Sequence, residues 1–178
     1  MEQILSERLV YCPIKIEDLN TYVKFRNEKS YRQWFYFQEP LNKETAKKNI
    51  EIMNNQSGYT VNILLEPFDI GLYLKESGEF IGTVSLSKFH GPQEELDYVE
   101  VGYGIGEAYQ NKGYATEAAK AAVNWGLKRL AELGAEPVIH GNVEHENLPS
   151  RRVLEKTGFQ MIRTEKYLSI YELNKIGR

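Results

Sequence analysis

The sequence predicts an α/β (α+β) fold on three observations. Short β-prone runs alternate with helical apolar stripes along the chain, and a turn-rich triplet, Glu76-Ser77-Gly78, separates two such runs as in a hairpin. A long Ala-rich helix carries small residues that permit close packing on a sheet. At 178 residues, with no internal repeat or obvious linker, the chain reads most simply as one domain, 1–178, large enough to bury a real core.

Arg8 to Pro13 reads as the first strand. Ile16 to Asn27 follows as a helix, with Leu19, Tyr22, Val23 and Phe25 supplying part of its apolar stripe. A second helix spans Lys43 to Asn54, where Ala46, Ile50 and Met53 recur at helical spacing and Asn42 stands as the cap. Ile70 to Lys75 and Glu79 to Leu86 form the hairpin, and Leu96 to Ile105 is the next strand. The long helix, Tyr114 to Leu133, carries Ala115, Ala118, Ala119, Ala122 and Gly126 and stops at Gly134, which suits the left-handed position past a helix end. A strand at Val138 to Val143, a short helix from Pro149, and strands near Phe159 to Arg163 and Tyr167 to Leu173 complete the order.

Composition excludes several functions. Lys+Arg 22 against Asp+Glu 25 gives a net charge of −3, so no basic footprint argues for direct nucleic-acid binding. The start Met1-Glu2-Gln3-Ile4-Leu5-Ser6-Glu7 lacks the positive charge and apolar run of a targeting segment, and no stretch approaches the roughly 20 apolar residues of a membrane span. The expectation is a cytoplasmic protein without a membrane partner. The lone Cys12 has no internal disulfide partner, and His90, His140 and His145 show no zinc spacing, so no metal is expected.

Residues 100 to 118 are the most informative stretch: a β-rich run, then Gln110-Asn111-Lys112-Gly113-Tyr114-Ala115, then the start of the long helix. The first N–H groups of a helix have no intrahelical partner, and the macrodipole adds roughly half a positive charge there, so a glycine-containing turn entering a helix is an anion site. Gly113 lets the backbone approach a phosphate, and Lys112 adds a mobile positive charge. Two phosphate motifs fail on spacing. The P-loop needs Lys after Gly113, where Tyr114 stands; a dinucleotide fingerprint from Gly102 needs its third glycine at Glu107.

What remains, Gln-x-x-Gly-x-Ala after a strand, resembles the pyrophosphate loop of the GNAT superfamily of N-acetyltransferases. A second segment, Asn147-Leu148-Pro149-Ser150 running to Gly158-Phe159, resembles the family's other coenzyme-side element. Its physics agrees: Asn147 caps a helix, Pro149 fits the first turn, and Gly158 suits the position past its end. Ser6-Glu7-Arg8-Leu9 and Glu100-Val101-Gly102-Tyr103 are similar to the RimJ/RimL-type branch, which contains ribosomal-protein N-terminal acetyltransferases; the arginine usual near the end of the first strand is Cys12 here. The resemblance covers nearly the whole chain as one GNAT domain. It implies the order β-α-α-β-β-β-α-β-α-β-β around a mixed, mostly antiparallel sheet, and acetyl-coenzyme A as co-substrate.

The implied reaction moves an acetyl group from a thioester to a primary amine, by direct transfer in a ternary complex. An alkyl amine has a pKa of about 10 and is almost wholly protonated at pH 7, so a base, or a site favouring the neutral amine, is needed. The resemblance makes Glu100 the leading base and Glu165 the runner-up. It places Tyr103, Gly104 and Ile105 where a splay or bulge frees backbone N–H groups for the pantetheine and the thioester oxygen, and Gly104 would ease such a distortion. Many relatives carry a tyrosine acid seven residues after the asparagine, but Leu154 stands there. Ser150 matches the serine of the RimL-like branch and would orient the sulfur or relay a proton.

The coenzyme contacts implied are Tyr103, Gly104, Ile105, Gln110, Asn111, Lys112, Gly113, Tyr114, Ala115, Asn147, Ser150 and Arg151. Lys112 and Arg151 are favoured over Arg152 and Lys156 for the phosphates. Glu117 reads as a first-turn carboxylate interacting with the loop, and His140 as a packed strand histidine. The aromatic run Tyr31 to Phe37 corresponds to the family's acceptor wall, with Tyr31, Trp34 and Phe35 as acceptor contacts; it would serve equally as core or as a homodimer contact. With Arg32 its single charge, it suits a neutral or weakly charged acceptor, a protein N-terminus or small amine. Polyamine or aminoglycoside acetylation, and a non-catalytic acyl-coenzyme A sensor, are the competing readings.

Overall fold

The computed structural model describes residues 3–35, 39–90 and 94–174. A seven-stranded sheet has the order β1-β2-β3-β4-β5-β7-β6, with β1 Leu9–Cys12, β2 Phe68–Leu74, β3 Phe80–His90, β4 Glu94–Ile105, β5 Val138–Glu144, β6 Gln160–Thr164 and β7 Leu168–Asn174. Every neighbouring pair is antiparallel except β4 and β5. The helices are α1 Leu19–Asn27, α2 Lys29–Phe35, α3 Lys43–Gln56, α4 Tyr114–Glu132 and α5 Leu148–Thr157.

The mostly antiparallel sheet expected from the sequence is present, with one correction to the order: three helices, not two, separate β1 from β2. The first expected helix starts late, because Ile16–Asp18 is a single 3-10 turn before α1. The added element is α2, inside the aromatic run. No local cap announces it. Its early N–H at Ser30 is taken instead by Glu107 Oε1 at 2.9 Å, from 77 residues away, so no nearby signal marks its start.

Local rules explain the other ends. Asn42 accepts a hydrogen bond from Thr45 N at 2.9 Å to cap α3, and Gly134, at φ 73°, follows α4. The small residues of α4 do what their size allows: Ala118, Ala119 and Ala122 are fully buried, and Gly126 lies so close to Leu86 that a Cβ there would come within 2.5 Å of it. The larger core cluster lies between α4 and the sheet. A second one, built on Tyr22, Phe25, Ile50, Tyr73 and Phe80, lies under α1 and α3 on the opposite face.

Strand alternation assigns β4 to both layers. Val101, Tyr103 and Ile105 face α4. Glu100, Gly102 and Gly104 face the other way, where a Cβ on Gly104 would strike the Tyr31 ring at 2.8 Å.

Candidate active site

The site begins where β4 and β5 part. Among the described residues their parallel ladder holds at Val99–Ile139 and Glu100–His140 only, while β4 runs on to Ile105 paired with β3. The strand distortion expected at Tyr103-Gly104-Ile105 is therefore a splay, not a bulge, since β3 follows that stretch in continuous register. Alternate backbone groups of Val101 to Ile105 face the opening where the β4–β5 ladder would otherwise continue. A cleft of about 930 Å³ occupies the splay, bounded by β4, β5, the α4 N-terminus, α5 and α2.

Gly113 stands at φ 82° as the N-cap of α4, and no side chain caps that helix start, so its first N–H groups point into the turn without an intrahelical partner. Asn111, at φ 61°, shares the left-handed conformation. Gln110 donates to Ser30 Oγ at 3.1 Å and to Ile105 O at 2.9 Å, tying the loop to α2 and to the end of β4.

Arg8 braces the same loop from the opposite side, a role its place in the opening strand motif did not reveal. Its backbone N–H and its Nε donate to Glu117 at 2.6 and 2.7 Å, its Nη1 donates to Lys112 O at 3.0 Å, and its guanidinium lies 4.4 Å from the Tyr114 ring centroid. Burial pushes the Glu117 carboxyl up, but the hydrogen bonds from Arg8 prevail and hold it below the usual range. The expectation that Glu117 serves the loop agrees with this pairing.

The far wall is α5. Asn147 accepts from Ser150 N at 3.2 Å, and Gly158, at φ 103°, ends the helix. Ser150 Oγ lies 2.9 Å from the Tyr103 hydroxyl, which is also 3.1 Å from Ser150 O. Burial pushes the Tyr103 phenol far above its ordinary range, so it stays protonated and acts as a donor. Leu154 is core: it packs on Gly141 and is 2% exposed.

The cations distribute differently from expectation. Arg152 and Lys156 line the cleft, whereas Arg151 donates to Tyr171 Oη at 3.2 Å and to His145 O at 3.3 Å outside its lining, and Lys112 donates to Ala108 O at 3.0 Å. Consecutive residues point about 100° apart on a helix, so the rotation of α5 decides which arginine faces inward, and sequence spacing alone does not fix that rotation.

Glu100 lies at the fork itself. Asn142 Nδ2 donates to Glu100 Oε2 at 2.8 Å and contacts Tyr98 Oη at 3.0 Å; Asn142 Oδ1 is buried with no partner among the described residues, an open acceptor beside the carboxylate. No local motif pointed to Asn142, which arrives from β5. His140 is a packed residue in contact with Glu172, 3.3 Å away, and burial lowers its pKa despite that carboxylate. Glu165 lies elsewhere: it pairs with Arg163 at 3.0 Å and is not among the cleft residues.

Tyr31, Trp34 and Phe35 of α2 line the opposite wall, with Tyr31 stacked on Phe35 at 4.3 Å and edge-on to Phe25 at 4.6 Å. Tyr36 and Phe37, the rest of the aromatic run, lie outside the described residues.

Comparison with known proteins agrees with this geometry. A family model for the Acetyltransferase (GNAT) domain matches residues 8–160. The chain is 26% identical over 160 residues to the uncharacterised N-acetyltransferase p20 of Bacillus licheniformis, covering 90% of this chain and 83% of that one. It is 36% identical over 87 residues to the uncharacterised N-acetyltransferase YjdG of Bacillus subtilis (strain 168), a match spanning 48% of this chain and 46% of YjdG, so less than half of that relative's length is covered. The fold matches the ribosomal-protein-S5-alanine acetyltransferase of Vibrio fischeri with a TM-score of 0.68, at 20% identity over 96% of this chain and 95% of that one. Loop, splay and capped α5 converge on one cleft in a chain whose sequence matches the domain from β1 to the start of β6: it belongs to the GNAT family of acetyltransferases.

Proposed function

We propose that this protein is an acetyl-coenzyme A-dependent N-acetyltransferase of RimJ/RimL type, one domain over residues 1–178, acting in the cytoplasm on a primary amine by direct transfer in a ternary complex. The observation that carries the reading is the coincidence, in one cleft, of the open α4 N-terminus with the splayed edge of β4. The residues present fit the coenzyme. The turn Gln110 to Ala115 would hold its pyrophosphate, Lys112, Arg152 and Lys156 supply nearby positive charge, and the β4 edge from Tyr103 to Ile105 would bind the extended arm. Bound there, acetyl-coenzyme A supplies an acetyl thioester.

The protein's own groups then have distinct tasks. Glu100, oriented by Asn142, accepts a proton from the acceptor ammonium, and Asn142 Oδ1 accepts a hydrogen bond from the same amine. Backbone N–H groups on the β4 edge lie where negative charge develops on the acyl oxygen; preorganised donors of this kind contribute about 3–4 kcal/mol each. The Tyr103–Ser150 hydroxyl pair stands in for the tyrosine that Leu154 replaces and donates toward the departing sulfur. Tyr31, Trp34 and Phe35 wall the acceptor.

A panel of amines and N-terminal peptides, assayed for thiol release from acetyl-coenzyme A, tests the reading. Turnover of at least one acceptor class is expected. Tight coenzyme binding with no release for any amine would favour a non-catalytic acyl-coenzyme A sensor.

A further inference from the structure

The acceptor side of the cleft opens into a smaller cavity of about 260 Å³, floored by β2, β3 and β4 and roofed by α1, α2 and α3. Tyr31, Phe35, Ser85, Gly102 and Tyr103 line both spaces. Asp69 stands on the floor of the smaller one. It is in register with Ser85, and Ser85 with Gly102, so it lies two strands from the β4 edge, about 10 Å at ordinary strand spacing. Gly102 keeps the floor between them low: a Cβ there would sit 2.6 Å from Ser85 Oγ.

The Asp69 carboxylate has no hydrogen bond and no ion pair among the described residues. The cation it feels is Arg26, whose guanidinium is engaged elsewhere, donating to Tyr22 Oη and lying 5.0 Å from the Tyr31 ring centroid. Burial pushes the Asp69 carboxyl up to about 6 even with the opposing pull of Arg26. A half-buried carboxylate without a bonded counter-charge is costly, and a ligand cation entering the cavity relieves that cost. The surroundings suit one: Thr83, Ser85 and Asn49 offer oxygen acceptors, and the stacked Tyr31 and Phe35 rings offer faces for a spacer.

We infer that Asp69 selects the acceptor by binding a second cationic group, an ammonium at the far end of an amine whose reacting nitrogen lies at Glu100. This rests on the acetyl-transfer reading and narrows it to diamine-like acceptors. It also departs from the expectation of a neutral or weakly charged acceptor, which rested on the aromatic run.

The test is kcat/KM for thiol release with primary amines of graded length, in matched sets ending in ammonium, hydroxyl or methyl, on the wild type and on Asp69→Asn. In the wild type the ammonium-ended amine should lead the methyl-ended one by about ten- to hundredfold, the range of a charge-assisted hydrogen bond. In Asp69→Asn that lead should collapse while acetyl-coenzyme A affinity, read by calorimetry, stays unchanged. A wild type that prefers the hydroxyl or methyl end, or an ammonium preference that survives in Asp69→Asn, overturns the inference and leaves acetyl transfer standing. If Asp69→Asn does not fold, the wild-type series alone decides. Coenzyme binding without thiol release for any amine removes the transfer reading and this inference together.

Discussion

The two sides of the cleft are built by opposite means. On the side of α4 and α5 the shape follows from local backbone requirements: Gly113 at φ 82°, Asn147 as a cap, Gly158 at φ 103°, all within two short segments. On the side of α2 and the fork the lining comes from side chains far apart in sequence, Arg26, Tyr31, Asp69, Ser85, Glu100 and Asn142, brought together by strand register and helix packing. Features set by the local backbone leave a motif, whereas contacts that depend on strand register, such as Asn142 on Glu100, leave none.

The largest effect expected is on the acceptor side at the fork. Glu100→Gln should lower turnover by roughly 10²–10⁴, the range of general-base loss, and least at high pH, where neutral amine is abundant. Steady-state rates across pH check this; a wild-type rate at every pH would assign deprotonation to water. Ser150→Ala should cost less, because Tyr103 remains as a donor in the same place.

That contrast explains what could be read without coordinates. The strands, α3, α4 and α5, and the glycine turn entering α4 were legible because their periodicity and caps are local. Helix α2 was not, since its start is satisfied by Glu107 from beyond three strands, and neither was the bracing of the loop by Arg8, 109 residues from Glu117. The choice between Arg151 and Arg152 needed the rotation of α5 about its axis, which packing on β5 and β7 sets.

Smaller effects separate the two sides by their response to pH. Asp69 has a carboxyl raised from 3.8 to about 6, so the folded state binds more protons than the unfolded state in that window. Stability therefore falls as pH rises through it, and Asp69→Asn should stabilise the protein at pH 7, on the order of 2 kcal/mol, with the gain vanishing in acid. Thermal melts at pH 4 and 7 check this; equal gains at both would mean the carboxylate carries no such cost.

Glu117 has the opposite sign. Its folded pKa is lowered from 4.5, so its contribution is present above that value and lost as pH falls through the lower folded one. Arg8→Ala should weaken it, costing about 1 kcal/mol because Arg8 is partly exposed, while the backbone N–H at position 8 keeps its hydrogen bond to Glu117. Urea unfolding at pH 7 and pH 3 reads the difference, which should shrink in acid.

The central claim is that the turn at Gly113 and the splayed β4 edge hold acetyl-coenzyme A, and calorimetric titration of wild type and Gly113→Asp tests it most directly. The substitution forces a side chain into a left-handed position and sets a negative charge at the α4 N-terminus, where the pyrophosphate would lie. Saturable binding to the wild type and severely weakened binding to a variant with native circular dichroism is the result expected. Unchanged affinity in the folded variant would contradict the account.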